Sequence, residues 1–188
     1  MNGIEKIILL MKSTKFNGTF SSLCFLLEAA VYNDESQDVA NLCGIFNVLA
    51  TRFNSDKWRE EDVENTKINT LDMIATLSKY EKNQINFREK IILSNIIDLI
   101  FNTMVQSVIS SSLKCLMEIL PTLDDLRIAC TNFKVEELFA KIVLHCNNPS
   151  IYVQNAAAMC IAQLCSRIEH QNMFLELSDS RVINILLL

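Results

Sequence analysis

The stretch from Asn148 to Leu188 decides the fold. It reads Asn148-Pro-Ser-Ile-Tyr-Val-Gln-Asn-Ala-Ala-Ala-Met-Cys-Ile-Ala-Gln-Leu-Cys165, then Glu169-His-Gln-Asn-Met-Phe-Leu-Glu-Leu177, then Ser180-Arg-Val-Ile-Asn-Ile-Leu-Leu-Leu188. In the first piece Val153, Ala157, Cys160, Ile161, Leu164 and Cys165 recur at spacings of three and four, the apolar stripe of one helix face. Pro149 is expected just inside the start of that helix, where a missing N–H costs little. Asn148 before it is expected to cap the first turn. Ala156, Ala157 and Ala158 allow a neighbouring helix to approach closely. The piece around Glu169 to Leu177 predicts a short helix. Ser178 to Leu188 predicts a third, opened by the capping residues Ser-Asp-Ser and carrying Val182, Ile185, Leu186 and Leu188 on one side.

The same pieces recur upstream. A pattern of one apolar residue, two variable residues and two apolar residues appears five times. It stands at Ile4-x-x-Ile7-Ile8, Ile45-x-x-Val48-Leu49, Ile96-x-x-Leu99-Ile100, Val135-x-x-Leu138-Phe139 and Val182-x-x-Ile185-Leu186. Its first positions are 41, 51, 39 and 47 residues apart, around the roughly 40–47 residues of helical solenoid repeats. Between these lie longer apolar helices: Leu23 to Leu27; Leu71, Ile74 and Leu77; Leu113, Leu116, Ile119 and Leu120; and Cys160, Ile161 and Leu164.

This short, middle, long rhythm resembles an armadillo repeat. The resemblance rests on Val153-Gln154-x-x-Ala157-x-x-Cys160-Ile161-x-x-Leu164, which is similar to the Val-Gln-x-x-Ala-x-x-Ala-Leu-x-x-Leu pattern of that family's long third helix. It covers most of the chain. It implies an all-α, right-handed α-solenoid of armadillo-like three-helix repeats, about four of them and incomplete at both ends. The expected organisation is one armadillo-like domain over 1–188, part of a longer array. Both ends fall on a middle helix, Gly3 to Lys12 and Arg181 to Leu188, and a solenoid end without a polar capping repeat leaves apolar surface for a partner or a second copy.

Composition agrees with helices. Half the residues are hydrophobic, with only three Gly and two Pro to break them. No apolar run approaches the roughly 20 residues of a membrane span. Met1 to Met11 carries Glu5 and Lys6 and is followed by no small-residue cleavage site, so it does not read as a signal peptide. Seven cysteines, an odd number on helical stripes, read as small core hydrophobes in a reducing compartment, cytoplasm or nucleus. The net charge of −5 disfavours a general nucleic-acid binder, which needs a basic face for phosphate.

Motifs that would carry catalysis are missing. Three scattered glycines make no phosphate loop, and no Gly-x-Ser-x-Gly elbow is present. His145-Cys146, and Cys160 with Cys165, invite a metal or a cysteine nucleophile. Neither spacing supplies four ligands or an oriented base, and core thiols explain them better. The expectation is a chain with no cofactor, no metal and no enzyme activity. Asn17-Gly18-Thr19 fits a glycosylation acceptor, which a thiol-rich chain without a signal sequence gives no reason to use.

A binding surface remains. The armadillo resemblance implies a concave groove lined by the long helices, on which partners lie extended. Its Trp and Asn positions in the importin-alpha branch match Met159 and Gln163, Lys114 and Glu118, Asp72 and Thr76, and less closely Ser22 and Leu26. None of these pairs is Trp-Asn, so recognition of nuclear-localisation signals is not implied, and only Lys114 fits the basic lining of a beta-catenin-like groove. Met159 is apolar and adaptable, Gln163 suits a peptide amide, Asp72 and Glu118 suit basic side chains, and Lys114 an acidic one. Trp58 in the polar link Asn54 to Asp62 either folds over the ridge or offers an aromatic anchor to a partner. Arg59-Glu60-Glu61-Asp62-Val63-Glu64 reads as an acidic helix start. The expected function is a non-catalytic scaffold or adaptor for a protein or peptide. The alternatives are a regulatory, autoinhibitory domain of formin type and a structural piece of a large assembly.

Overall fold

The computed structural model describes residues 3–53, 64–88 and 90–179. Trp58, the acidic run up to Val63 and the expected helix Arg181 to Leu188 lie outside the described residues. The chain divides into two compact units, Met1–Phe87 and Arg88–Leu188.

In the first unit the helices are α1 (Gly3–Ser13), α2 (Asn17–Ala30), α3 (Asp34–Leu42), α4 (Ile45–Phe53), α5 (Glu64–Ser78) and α6 (Glu81–Phe87). In the second they are α7 (Lys90–Asn102), α8 (Gln106–Ile119), α9 (Leu123–Ala129), α10 (Val135–His145), α11 (Ile151–Leu164) and α12 (Ile168–Asp179). No strand occurs among the described residues. The four upstream copies of the middle-helix pattern fall on α1, α4, α7 and α10. Ile4, Ile8, Ile45, Val48, Leu49, Ile96, Leu99, Ile100, Val135, Leu138 and Phe139 are all buried there. The long helices α2, α5, α8 and α11 follow them in chain order, and the short helices α3, α6 and α9 separate the groups.

Short helices need help to start, because their orphan N–H groups are a large share of their backbone. Two carry reciprocal capping boxes. In α3 the Ser36 N–H donates to Asn33 Oδ1 at 2.8 Å and the Asn33 N–H to Ser36 Oγ at 3.1 Å. In α9 the Asp125 N–H donates to Thr122 Oγ1 at 3.1 Å and the Thr122 N–H to Asp125 Oδ2 at 2.8 Å.

The deciding stretch is corrected in two details. The long helix starts at Ile151, so Pro149 lies before its N-cap Ser150 and not inside it. Asn148 does not cap that helix either. Its Oδ1 accepts the Ser150 N–H at 2.9 Å, and its carbonyl accepts from Gln154 Nε2 at 2.7 Å. The side chain is used in a turn around Pro149, which delays the helix by two residues. Secondly, Ser178 and Asp179 do not open a new helix. They end α12, which at 12 residues is longer than the short piece expected.

Long-helix C-termini are closed by side chains from the helix that follows. Gln37 Nε2 donates to Val31 O at 3.5 Å, Asn83 Nδ2 to Leu77 O at 3.0 Å, and the His170 imidazole Nδ1 meets Leu164 O at 3.1 Å. Each reaches back six residues. At α8 the closure differs: Leu120, left-handed at φ 45°, turns the chain into Pro121. The α region is disfavoured before proline. Arg88 Nη2 donates to Leu120 O at 3.0 Å and Arg167 Nη2 to the same carbonyl at 3.2 Å.

Candidate functional site

Each unit pairs two long helices. In the first unit α2 lies against α5. The contact is polar at three levels. Thr66 Oγ1 donates to Asn17 O at 3.2 Å, Asn69 Nδ2 to Ser21 Oγ at 2.8 Å, and Thr76 Oγ1 to Glu28 Oε1 at 3.1 Å. In the second unit α8 lies against α11, and many of the buried residues are small: Ser110, Ser111, Ser112 and Cys115 on one helix, Ala156, Ala157 and Cys160 on the other. Small side chains let the backbones approach, and Ser112 satisfies its hydroxyl on Val108 O of its own helix at 2.8 Å.

Register fixes which residues point outward. Val108 and Val153, Ser112 and Ala157, Cys115 and Cys160, and Ile119 and Leu164 are buried counterparts, each pair 45 positions apart. The same step relates Lys114 to Met159 and Glu118 to Gln163. Lys114 and Gln163 are exposed, Met159 is 56% exposed and Glu118 is half-buried. On each helix the two residues are four apart and share a face. The second unit thus carries a small lattice of one cation, one anion, one flexible apolar side chain and one amide.

Asp72 and Thr76 belong to the first unit and are half-buried on α5. Thr76 does not face solvent as a free hydroxyl, because it donates to Glu28. Ser22 and Leu26 are exposed on α2. Sequence reasoning missed the surroundings of Thr76. Phe25, Glu28, Ala29, Val31 and Tyr32 join it in lining an open pocket of about 430 Å³. The available signal was Phe25, Glu28 and Ala29 at spacings of three and four on the face of α2 away from Leu23 and Leu27, with Tyr32 just past the end of that helix.

Residues that invited chemistry are held in structural roles. His145 Nε2 meets Ile100 O at 3.2 Å, and Cys146 Sγ lies 3.9 Å from Ile142 O. Burial pushes the Cys130 thiol up to about 11 and Cys24 up to about 12; Cys160 is pushed upward as well. Thiols held this way are poor nucleophiles. None of the seven cysteines forms a disulfide. Among the described residues no group of three or more His, Cys, Asp and Glu is placed to hold a metal ion. Asn17 of the glycosylation-like triplet accepts from Arg52 Nη2, and that guanidinium lies 4.6 Å from the centre of the Phe20 ring. No described helix is long and apolar enough to cross a membrane.

No protein-family model matches the chain, and no curated protein matches its sequence. Solved structures do match it. An engineered protein superposes with a TM-score of 0.76 at 15% identity, over 97% of this chain and 71% of that one. A designed armadillo repeat protein in complex with the peptide (KR)4 gives a TM-score of 0.75 at 13% identity, over 96% of this chain and 73% of that one. Computationally designed armadillo repeat proteins for modular peptide recognition give 0.72 at 13% identity, over 96% and 73%. Identities this low speak for the fold alone. The chain has an armadillo-like repeat fold, an all-α solenoid.

Proposed function

We propose that this chain is a non-catalytic protein-interaction scaffold, an adaptor that holds an extended peptide or a partner helix against the exposed faces of its long helices. The observation that supports this is the shared 45-residue register, which lays Lys114, Glu118, Met159 and Gln163 out as a two-by-two lattice on α8 and α11. Gln163 can exchange hydrogen bonds with a peptide amide, and Met159 adapts to apolar side chains of varied shape. Lys114 and Glu118 select partner residues of opposite charge. Asp72 and Thr76 extend the same role to the first unit. Solved relatives of this fold designed for peptide recognition support the reading. Seven cysteines outside any disulfide favour a reducing compartment, cytoplasm or nucleus.

The test is affinity capture from native extract with the full chain and with a variant combining Lys114→Ala, Glu118→Ala and Met159→Ala. The three side chains are exposed or half-buried and alanine favours helix, so the variant should fold. Partners captured by the parent and lost from the variant are the expected result. Partners retained by the variant would remove α8 and α11 from the binding surface.

A further inference from the structure

At the C-terminal end of α2 the first unit holds a pocket with an unusual floor and rim. Glu28 is half-buried, and one carboxylate oxygen is fixed by the Thr76 hydroxyl of α5 at 3.1 Å. Two aromatic side chains line the same opening and stand well out of the surface, Phe25 at 63% exposure and Tyr32 at 81%. Among the described residues no lysine, arginine or histidine forms an ion pair with Glu28. Asp72, one turn before Thr76 on α5, adds a further carboxylate on the same face of that helix as Thr76.

Each part selects against most ligands. A carboxylate repels an anion. It is also poorly matched by an aliphatic side chain, because covering it without a partner costs desolvation. An ammonium or guanidinium satisfies it by a charge-assisted hydrogen bond, and aromatic faces beside the carboxylate attract the same cation through their quadrupoles. The Thr76 bond holds the carboxylate in one orientation before any ligand arrives, so less is lost on ordering it.

We propose that this pocket takes a lysine or arginine side chain of the bound peptide. The proposal rests on the reading of the long-helix faces as a peptide surface, and gives the first unit a basic-residue subsite at the Phe25, Glu28, Tyr32 and Thr76 position.

The experiment is fluorescence anisotropy of labelled (KR)4 peptide, with an eight-residue glutamine peptide as control, titrated with the full chain and three variants. Glu28→Gln keeps shape and an acceptor for Thr76 while removing charge, and equal circular dichroism and melting verify its fold. Phe25→Ala trims the rim. The third is the Lys114, Glu118, Met159 triple alanine variant. The expected result is salt-sensitive binding of (KR)4 over the glutamine peptide, weakened about tenfold by Glu28→Gln and several-fold by Phe25→Ala, as loss of one charge-assisted contact predicts. Failure of the parent chain to bind (KR)4, or equal binding by parent and Glu28→Gln, overturns the pocket. If partners from extract are still lost with the triple variant in that case, the scaffold reading stands without the pocket. If Glu28→Gln loses (KR)4 while the triple variant keeps every captured partner, the pocket stands and the α8 and α11 face falls.

Discussion

Asn83 in the first unit and His170 in the second do the same job by different chemistry. Each is completely buried and reaches back six residues to a carbonyl at the end of a long helix, Leu77 for Asn83 and Leu164 for His170. Such carbonyls have no partner within their own helix; each accepts one N–H from the turn that follows, Tyr80 for Leu77 at 3.3 Å and Arg167 for Leu164 at 3.1 Å, and the side chain adds a second contact at the buried junction. Asn83 belongs to a chain of amides: its Nδ2 also donates to Gln37 Oε1 at 2.9 Å, and its Oδ1 accepts from Asn41 Nδ2 at 2.6 Å. His170 instead stands among aromatics, with the Phe139 ring centre 5.5 Å away and Phe174 packed 4.5 Å from Phe139. The backbone demand is common to both repeats. An amide meets it without titrating, whereas an imidazole makes the junction sensitive to protons.

The most severe way to break this equivalence is to remove the aromatic wall. Phe139→Ala should cost about 3–5 kcal/mol, the range for emptying a fully buried phenylalanine site. Hydrogen exchange followed by mass spectrometry should show α10 and α12 opening, while α3 and α6 keep their protection. Equal loss in both units would mean that they unfold as one.

Asn83→Ala attacks the other side of the comparison. It removes partners from Gln37 Oε1 and Asn41 Nδ2 together, while Leu77 O keeps the Tyr80 N–H at 3.3 Å, and about 2–3 kcal/mol is expected from the side-chain amides left unsatisfied. Urea unfolding measures it, and a loss below about 1 kcal/mol would show that water replaces the amide.

Acid sharpens the comparison further. Burial lowers the pKa of His145 and of His170 below the ordinary histidine value of 6.5. For His170 the carbonyl of Leu164 and Glu169 push upward against burial, and Arg167 adds to the lowering. A folded pKa below the unfolded one means that the unfolded chain binds the proton first. The stability contributed by the neutral rings is therefore complete above pH about 6.5 and is lost as pH falls below it, at up to about 1.4 kcal/mol per pH unit for each ring. Both histidines of the chain lie in the second unit. Exchange protection of α10 and α12 should fall between pH 7 and 5.5 with that of α3 and α6 little changed, and His170→Asn should flatten the slope. A slope carried equally by both units would end the contrast.

The smallest effect is expected where hydroxyls are buried but locally satisfied. Thr70 Oγ1 donates to Thr66 O of its own helix at 2.6 Å, as Ser112 does to Val108 O. Thr70→Val and Ser112→Ala should each change stability by no more than about 1 kcal/mol, because the carbonyls keep their helical N–H partners. A larger loss at Thr70 would assign weight to its 3.7 Å contact with Cys24 Sγ.

Legibility in the sequence followed the range of the interaction. The middle helices were readable because Ile45-x-x-Val48-Leu49 and its counterparts place three apolar side chains on one face without reference to anything else. Lys114 and Met159 were singled out by the armadillo resemblance, and the buried stripes of α8 and α11 relate them by the same 45-residue step. Asn148 was misread because two local uses of one side chain compete, a helix cap and a turn across Pro149, and composition does not rank them. The Glu28 pocket was not readable, since Glu28 and the Thr76 that orients it are 48 positions apart.

By itself, then, the sequence determined the helical class, the repeat and the stripes that become core, all consequences of 3.6-residue periodicity acting within a few turns. Only the tertiary structure decided which partner closes each long-helix end, which hydroxyl meets which carboxylate, and that two aromatic rings flank Glu28. Those choices depend on distances between residues far apart in the chain, which periodicity leaves open and side-chain packing fixes.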